Sequence, residues 1–226
     1  MDALKSSRYF SDPAVAAFVD EVQSGDVARV KKGLAAGISP NAPGSDGFRP
    51  IHFVFVAAKA DVLRELLAAG ADPNARLSNG NPPLEFAVRM PNPDFTGALL
   101  AAKADPNARG ENNAPVIHTA IAYPTVRNVE QLVAAGADIN VVWGNNTPLM
   151  AAVTAFKWDM AAALLKMNAD AAWRNDIGKS AADRFCKHLT GMPVNAKYRA
   201  SIVALADGFA ARGVTLACAA EVQRFH

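Results

Sequence analysis

Four histidines and two cysteines are the residues most able to do chemistry, so their spacing comes first. His52 and His118 occupy the same place in a recurring sequence word. Each is expected in its own helix, about two words apart, too far for an acid–base pair. Glu85 and Met150 fill the same column, so the position is not tied to one chemistry. Cys186, His188, Cys218 and His226 form the one cluster of soft ligands. A Cys-x-His spacing is too tight for the usual zinc pairings, and His226 is the final residue. The expectation is a buried cysteine acting as a small hydrophobe, with no metal. Gly178-Lys179-Ser180 mimics the tail of a phosphate-binding loop. Trp173 stands where that motif requires glycine, and no strand is predicted before it. No Ser/His/Asp set, paired carboxylates or dinucleotide loop is placed to act, so the chain reads as no enzyme and as needing no cofactor.

The elements that position these residues follow a period. Pro50, Pro83, Val116, Pro148 and Ala181 succeed one another at spacings of 33, 33, 32 and 33. Ser39-Pro40-Asn41, Asp72-Pro73-Asn74, Asp105-Pro106-Asn107, Asp138-Ile139-Asn140 and Asp170-Ala171-Ala172 run in phase. Two markers holding one period predict an array of like units, each burying its apolar face against its neighbours. Within a unit the pattern predicts a turn, a short helix opened by proline, a bend and a second helix. Val62, Leu63, Leu66 and Leu67 give that second helix its apolar stripe. Its stop falls at Gly37, Gly70, Lys103, Gly136 or Asn168, where a left-handed residue is expected. Lysine suits that conformation poorly. Thr147 and Ser180 are predicted N-caps; Arg49, Pro82 and Pro115 stand there in other units and cannot cap so. The unit between Asn140 and Thr147 is one residue short, which predicts a tighter hairpin.

With Arg49-Pro50-Ile51-His52, Thr147-Pro148-Leu149-Met150 and Gly70-Ala71-Asp72-Pro73-Asn74-Ala75, the spacing over residues 27–180 resembles the ankyrin repeat. That resemblance implies an all-α solenoid of stacked helix pairs with projecting hairpins, binding through hairpin tips and first helices. It also implies that the repeated histidine stiffens its turn through backbone bonds. One domain, 1–226, is expected: an N-terminal cap at 11–43, full repeats at 44–76, 77–109, 110–141 and 142–174, and an enlarged C-terminal cap at 175–226. Asp12 and Pro13 should open the first cap's helix. Extra residues around 190–197 should precede a helix over 198–212 that ends at Gly213.

Composition sets the remaining bounds. The chain is 51% apolar and 19% charged with net charge +2, and its cations are scattered, which argues against nucleic acid. No run is long enough to span a membrane, the Met1-Asp2-Ala3-Leu4-Lys5 start lacks a signal core, and two cysteines suit a reducing, cytoplasmic setting. The expected function is non-catalytic protein binding by a chain monomeric when free. Small bacterial members that the chain resembles include regulators and immunity proteins that neutralise a toxin. The rivals are an enzyme or metal or ligand site near Cys186, His188 and Met192-Pro193, and a self-associating array. Residues not needed by the frame are the candidate contacts: Asp46, Phe48, Asn79, Asn81, Arg89, Met90, Glu111, Asn112, Tyr123, Trp143, Asn146 and Asp176. Phe48, Tyr123 and Trp143 stand out as large aromatics at display positions. Phe156 and Trp158, in a bend, form a second patch or fill space beside Pro124. Arg76, Arg109 and Arg174 recur with the period and read as braces between hairpins or, less readily, as a ladder for an acidic partner.

Overall fold

The computed structural model describes residues 5–193 and 195–226. The reading of the first four residues, and Val194 within the 190–197 segment, lie outside the described residues. The described chain is all-α, with isolated β-bridges instead of strands. It divides into two compact units, 1–116 and 117–226.

The first unit opens with α1 (Pro13–Ser24) and α2 (Val27–Ala35). Asp12 caps α1 by accepting from the Ala14 N–H at 2.8 Å, and Pro13 takes N1, where its missing N–H costs nothing. Then come α3 (Val54–Ala57), α4 (Ala60–Ala68), α5 (Pro83–Ala87) and α6 (Asp94–Ala101). Helix α4 packs on both α2 and α6, burying Val62, Leu63 and Leu66. Before α3 the chain makes a 3₁₀ turn over Pro50–Phe53, tighter than the continuous helix the pattern predicts.

The second unit holds α7 (Val116–Ala122, its first residue closing the first unit), α8 (Val126–Ala134), α9 (Pro148–Thr154), α10 (Trp158–Lys166), α11 (Ala181–Leu189), α12 (Ala196–Ala210) and α13 (Ala219–Gln223). Helix α10 contacts α8, α9 and α12, and α11 contacts α9 and α13. Thr147 and Ser180 cap as expected: their hydroxyls accept from the N–H groups of Met150 (3.3 Å) and Asp183 (3.2 Å). Helix α12 begins and ends two residues before its expected bounds, and α13 is an addition that the pattern did not foresee.

The period now has a physical cause. Within the first unit, the Asn41 amide donates to the Gly70 carbonyl (2.7 Å) and accepts from the Asp72 N–H (2.8 Å). Asn74 repeats this with Lys103 (3.1 Å) and Asp105 (2.8 Å). In the second unit Asn140 accepts from the Asp170 N–H at 2.8 Å. The aspartate of four markers, and Ser39 in the first, accepts from the N–H two residues on, as Asp72 does from Asn74 at 2.9 Å. Asn41 and Asn74 therefore tie one helix stop to the next turn and satisfy orphan carbonyls.

All five stops are left-handed: Gly37, Gly70 and Gly136 at φ 90°, 88° and 99°, Lys103 at 71° and Asn168 at 67°. The geometry is thus imposed on Lys103 against its sterics. Lys103→Gly is expected to raise stability by about 0.5–1 kcal/mol, the relief of a Cβ clash less the entropy glycine loses, read from urea unfolding.

Candidate interaction surfaces

The frame consumes most groups that looked reactive. The His52 Nδ1 accepts from the Arg49 N–H (3.1 Å), and its Nε2–H donates to the Ala75 carbonyl (3.0 Å). His118 donates from Nε2 to the Val141 carbonyl at 2.9 Å. Each ring holds a carbonyl 23 residues on, and His52 also reaches back to the N–H that opens its own turn, the reverse of the bond Thr147 makes at α9. Burial pushes the His52 imidazole below its ordinary value, with the Ala75 carbonyl opposing. Because the unfolded ring titrates near 6.5, this depressed folded value leaves stability intact above about pH 6.5. Stability is then lost as pH falls below that point, when the unfolded ring takes up a proton the folded one resists. Denaturant midpoints across pH 5 to 7 should drop more steeply at the acid end for wild type than for His52→Gln.

The arginine column braces hairpins. Arg76 donates to the carbonyls of Gly80 (2.6 Å) and Arg109 (2.6 Å), Arg109 to Asn113 (2.9 Å), and Arg174 to Gly178 (2.8 Å) and the Asp183 carboxylate (2.9 Å). These guanidiniums hold carbonyls at a fixed offset of four residues.

The cysteines correct the sequence reading. Cys186 and Cys218 form a disulfide with Cα atoms 5.2 Å apart, joining α11 to the turn before α13. Neither is a free buried thiol, and neither offers a thiolate to the ligand cluster drawn around His188 and His226. The argument for a reducing compartment goes with them. Gly178-Lys179-Ser180 is the entry to α11: Ser180 and Asp183 form a reciprocal capping box.

Of the proposed contact residues in the first unit, Asp46, Asn79, Glu111 and Asn112 are exposed on hairpin tips. Asp46 and Asn112 are left-handed, with φ 54° and 56°. Phe48 is not displayed as expected. Its ring lies 4.4 Å from that of Tyr9 and 5.3 Å from that of Phe53, in a cluster supplied by the non-repeating N-terminal segment. Asn81 is also no contact residue: it is 5% exposed, and its side chain accepts from the Glu111 N–H at 2.6 Å, binding one hairpin to the next. Exposed Arg89 pairs with buried Glu85 at 2.5 Å, and Met90 is half-buried.

In the second unit, Trp143 is 41% exposed, its ring 5.7 Å from that of His118. The shortened hairpin is a two-residue turn: Trp143 and Asn146 pair across Gly144 and Asn145, at φ 54° and 59°. Positive φ at both central residues suits the twist of a tight hairpin. Asp176 is exposed and accepts a hydrogen bond from the Asn145 amide, while Tyr123 is half-buried. The bend residues divide. Trp158 is buried against Phe185, whereas Phe156 is 49% exposed. Sequence reasoning missed Ile177, 72% exposed, and the cations of α11, Arg184 and Lys187. The cations recur at helical spacing and were legible; Ile177 carried no signal.

No helix among the described residues is long and apolar enough to cross a membrane, and no group of three or more His, Cys, Asp or Glu among them could hold a metal ion. No protein-family model matches the chain, and no curated protein is significantly similar to it.

Proposed function

We propose that the chain is a non-catalytic protein-binding module of the ankyrin-repeat type, and that binding is itself its activity: masking, inhibiting or scaffolding a partner. One observation carries this reading. Groups with chemical potential are spent on the backbone, while Trp143, Phe156 and Ile177 face solvent at positions the frame does not use. Large exposed aromatics are enriched at binding hot spots. The helix-stop geometry at a regular period and the asparagine ties support the ankyrin assignment. The reading takes the free chain as a monomer, with the Cys186–Cys218 bond suited to an oxidising compartment instead of the cytoplasm.

The test is quantitative. A partner captured from the source cell should bind Trp143→Ala at least about tenfold more weakly, a loss above about 1 kcal/mol, with thermal stability kept. Phe48→Ala should instead lower stability and leave affinity per folded molecule unchanged, because its ring is packed on Tyr9 and Phe53. Unchanged affinity for Trp143→Ala moves the surface elsewhere.

A further inference from the structure

Residues scattered in the sequence meet in one groove of the second unit. Helix α11 sets Arg184, Lys187 and His188 on one face, at i, i+3 and i+4, and Lys179 joins them from the turn before. With Thr154 and Ile177 they line a groove of about 450 Å³. Arg184 is fixed there by donating to the Thr154 hydroxyl at 2.6 Å. The acid in this wall, Asp183, is already spent. It accepts from the Ser180 N–H (2.8 Å), the Ser180 hydroxyl (2.9 Å) and Arg174 (2.9 Å), and the Ser180 N–H leads in holding its carboxyl below the usual range. Lys179, Arg184 and Lys187 thus leave a net positive surface. Burial first, then the charges of Lys187 and Arg184, push the His188 imidazole below its ordinary value.

An aromatic ring stands beside the groove. The Phe156 ring lies 4.2 Å from that of His188, which lines the groove, and Phe156 itself lines a second cleft of about 160 Å³ with Tyr123, Pro124 and Tyr198. Its backbone is left-handed, at φ 58°. Ala58 holds φ 54° at the corresponding bend of the first unit, so the left-handed bend recurs there without glycine. A large ring there carries the steric cost of the left-handed region while half its surface stays in water. The core does not require it, since Trp158 fills the space beneath.

We propose that this groove docks an extended acidic peptide segment of a partner, its carboxylates meeting Lys179, Arg184 and Lys187 and one large apolar side chain seating on Phe156. The proposal rests on the protein-binding reading and adds the partner's chemistry. Charge complementarity selects an acidic occupant, and the exposed Phe156 and Ile177 select a peptide with an apolar anchor. A nucleic acid would call for a longer basic stripe, and the whole chain carries a net charge of only +2.

The test is selection of a random peptide library displayed on phage against the full chain, with affinities of enriched peptides measured by fluorescence anisotropy. Enrichment of acidic sequences bearing one aromatic or large aliphatic residue is expected. Their affinity should fall at least about tenfold in Arg184→Glu/Lys187→Glu and about fivefold in Phe156→Gly. Phe156→Gly relieves the bend, so a retained thermal midpoint separates lost docking from lost folding. Binders without acidic bias, indifferent to both variants, would overturn the groove assignment while leaving the protein-binding reading standing. The absence of any binder would count against both. Tighter binding of a single-stranded RNA oligonucleotide, lost in the charge-reversal variant, would assign the groove to nucleic acid and overturn the proposal.

Discussion

Reduction of the Cys186–Cys218 disulfide is expected to cost the second unit about 3–4 kcal/mol. The bond closes a loop whose ends are 32 residues apart, and chain entropy removed from the unfolded state scales with the logarithm of that length. Its native context is well formed. The Cys218 N–H points at the Cys186 sulfur at 3.2 Å, Arg199 donates to the Phe225 carbonyl at 2.6 Å, and Arg224 to that of Met192 at 3.2 Å. The tail therefore keeps its seat without the bond but loses the bond's grip on the unfolded chain. Urea unfolding with and without a phosphine reductant measures this directly. Cys218→Ala should reproduce the loss and show no further response to reductant. A wild-type midpoint indifferent to reduction would contradict the assignment.

Trp158→Ala is expected to cost about 3–5 kcal/mol, the range for truncating a large buried aromatic where the surroundings cannot close the cavity. The ring is 2% exposed, 5.7 Å from that of Phe185 and 5.6 Å from that of Phe156. It opens α10, the helix on which α8, α9 and α12 all pack, so a cavity there loosens several helices together. Trp143→Ala removes the same side chain from a half-exposed hairpin and should change stability by less than about 1 kcal/mol. Circular dichroism melts of the two variants give the comparison. Equal losses would mean that Trp143 belongs to the core and is not on display.

The sequence spoke clearly where physics repeats. The helix stops, the proline starts and the Thr147 and Ser180 caps were legible because each unit solves one backbone problem with one residue type; the asparagines were legible as a period marker, not as ties. Lys103 shows the strength of that demand: a residue poorly suited to positive φ adopts it at the period's dictate. What stayed hidden depends on contacts between segments outside the period. Phe48 read as a display residue because Tyr9, which covers it, lies in no repeat. Asn81 read as a tip residue, and only the neighbouring hairpin's Glu111 N–H explains its burial. A separation of 32 residues could not reveal that Cys218 returns to Cys186 by way of α12. The helical spacing of Arg184 and Lys187 could be read, but not that the turn at Lys179 brings a third cation to the same groove.

The central claim is that this chain acts by presenting side chains, having committed its polar groups to holding its own backbone. Amide hydrogen exchange of the full chain, free and bound to its captured partner, tests that claim most directly. The account predicts new protection in the second unit at the Trp143 hairpin, the Phe156 bend and the Ile177 to His188 segment, with no consumption of small-molecule substrate by the complex. Protection confined to the outer faces of α12 and α13, with those three segments exchanging as in the free chain, would contradict it.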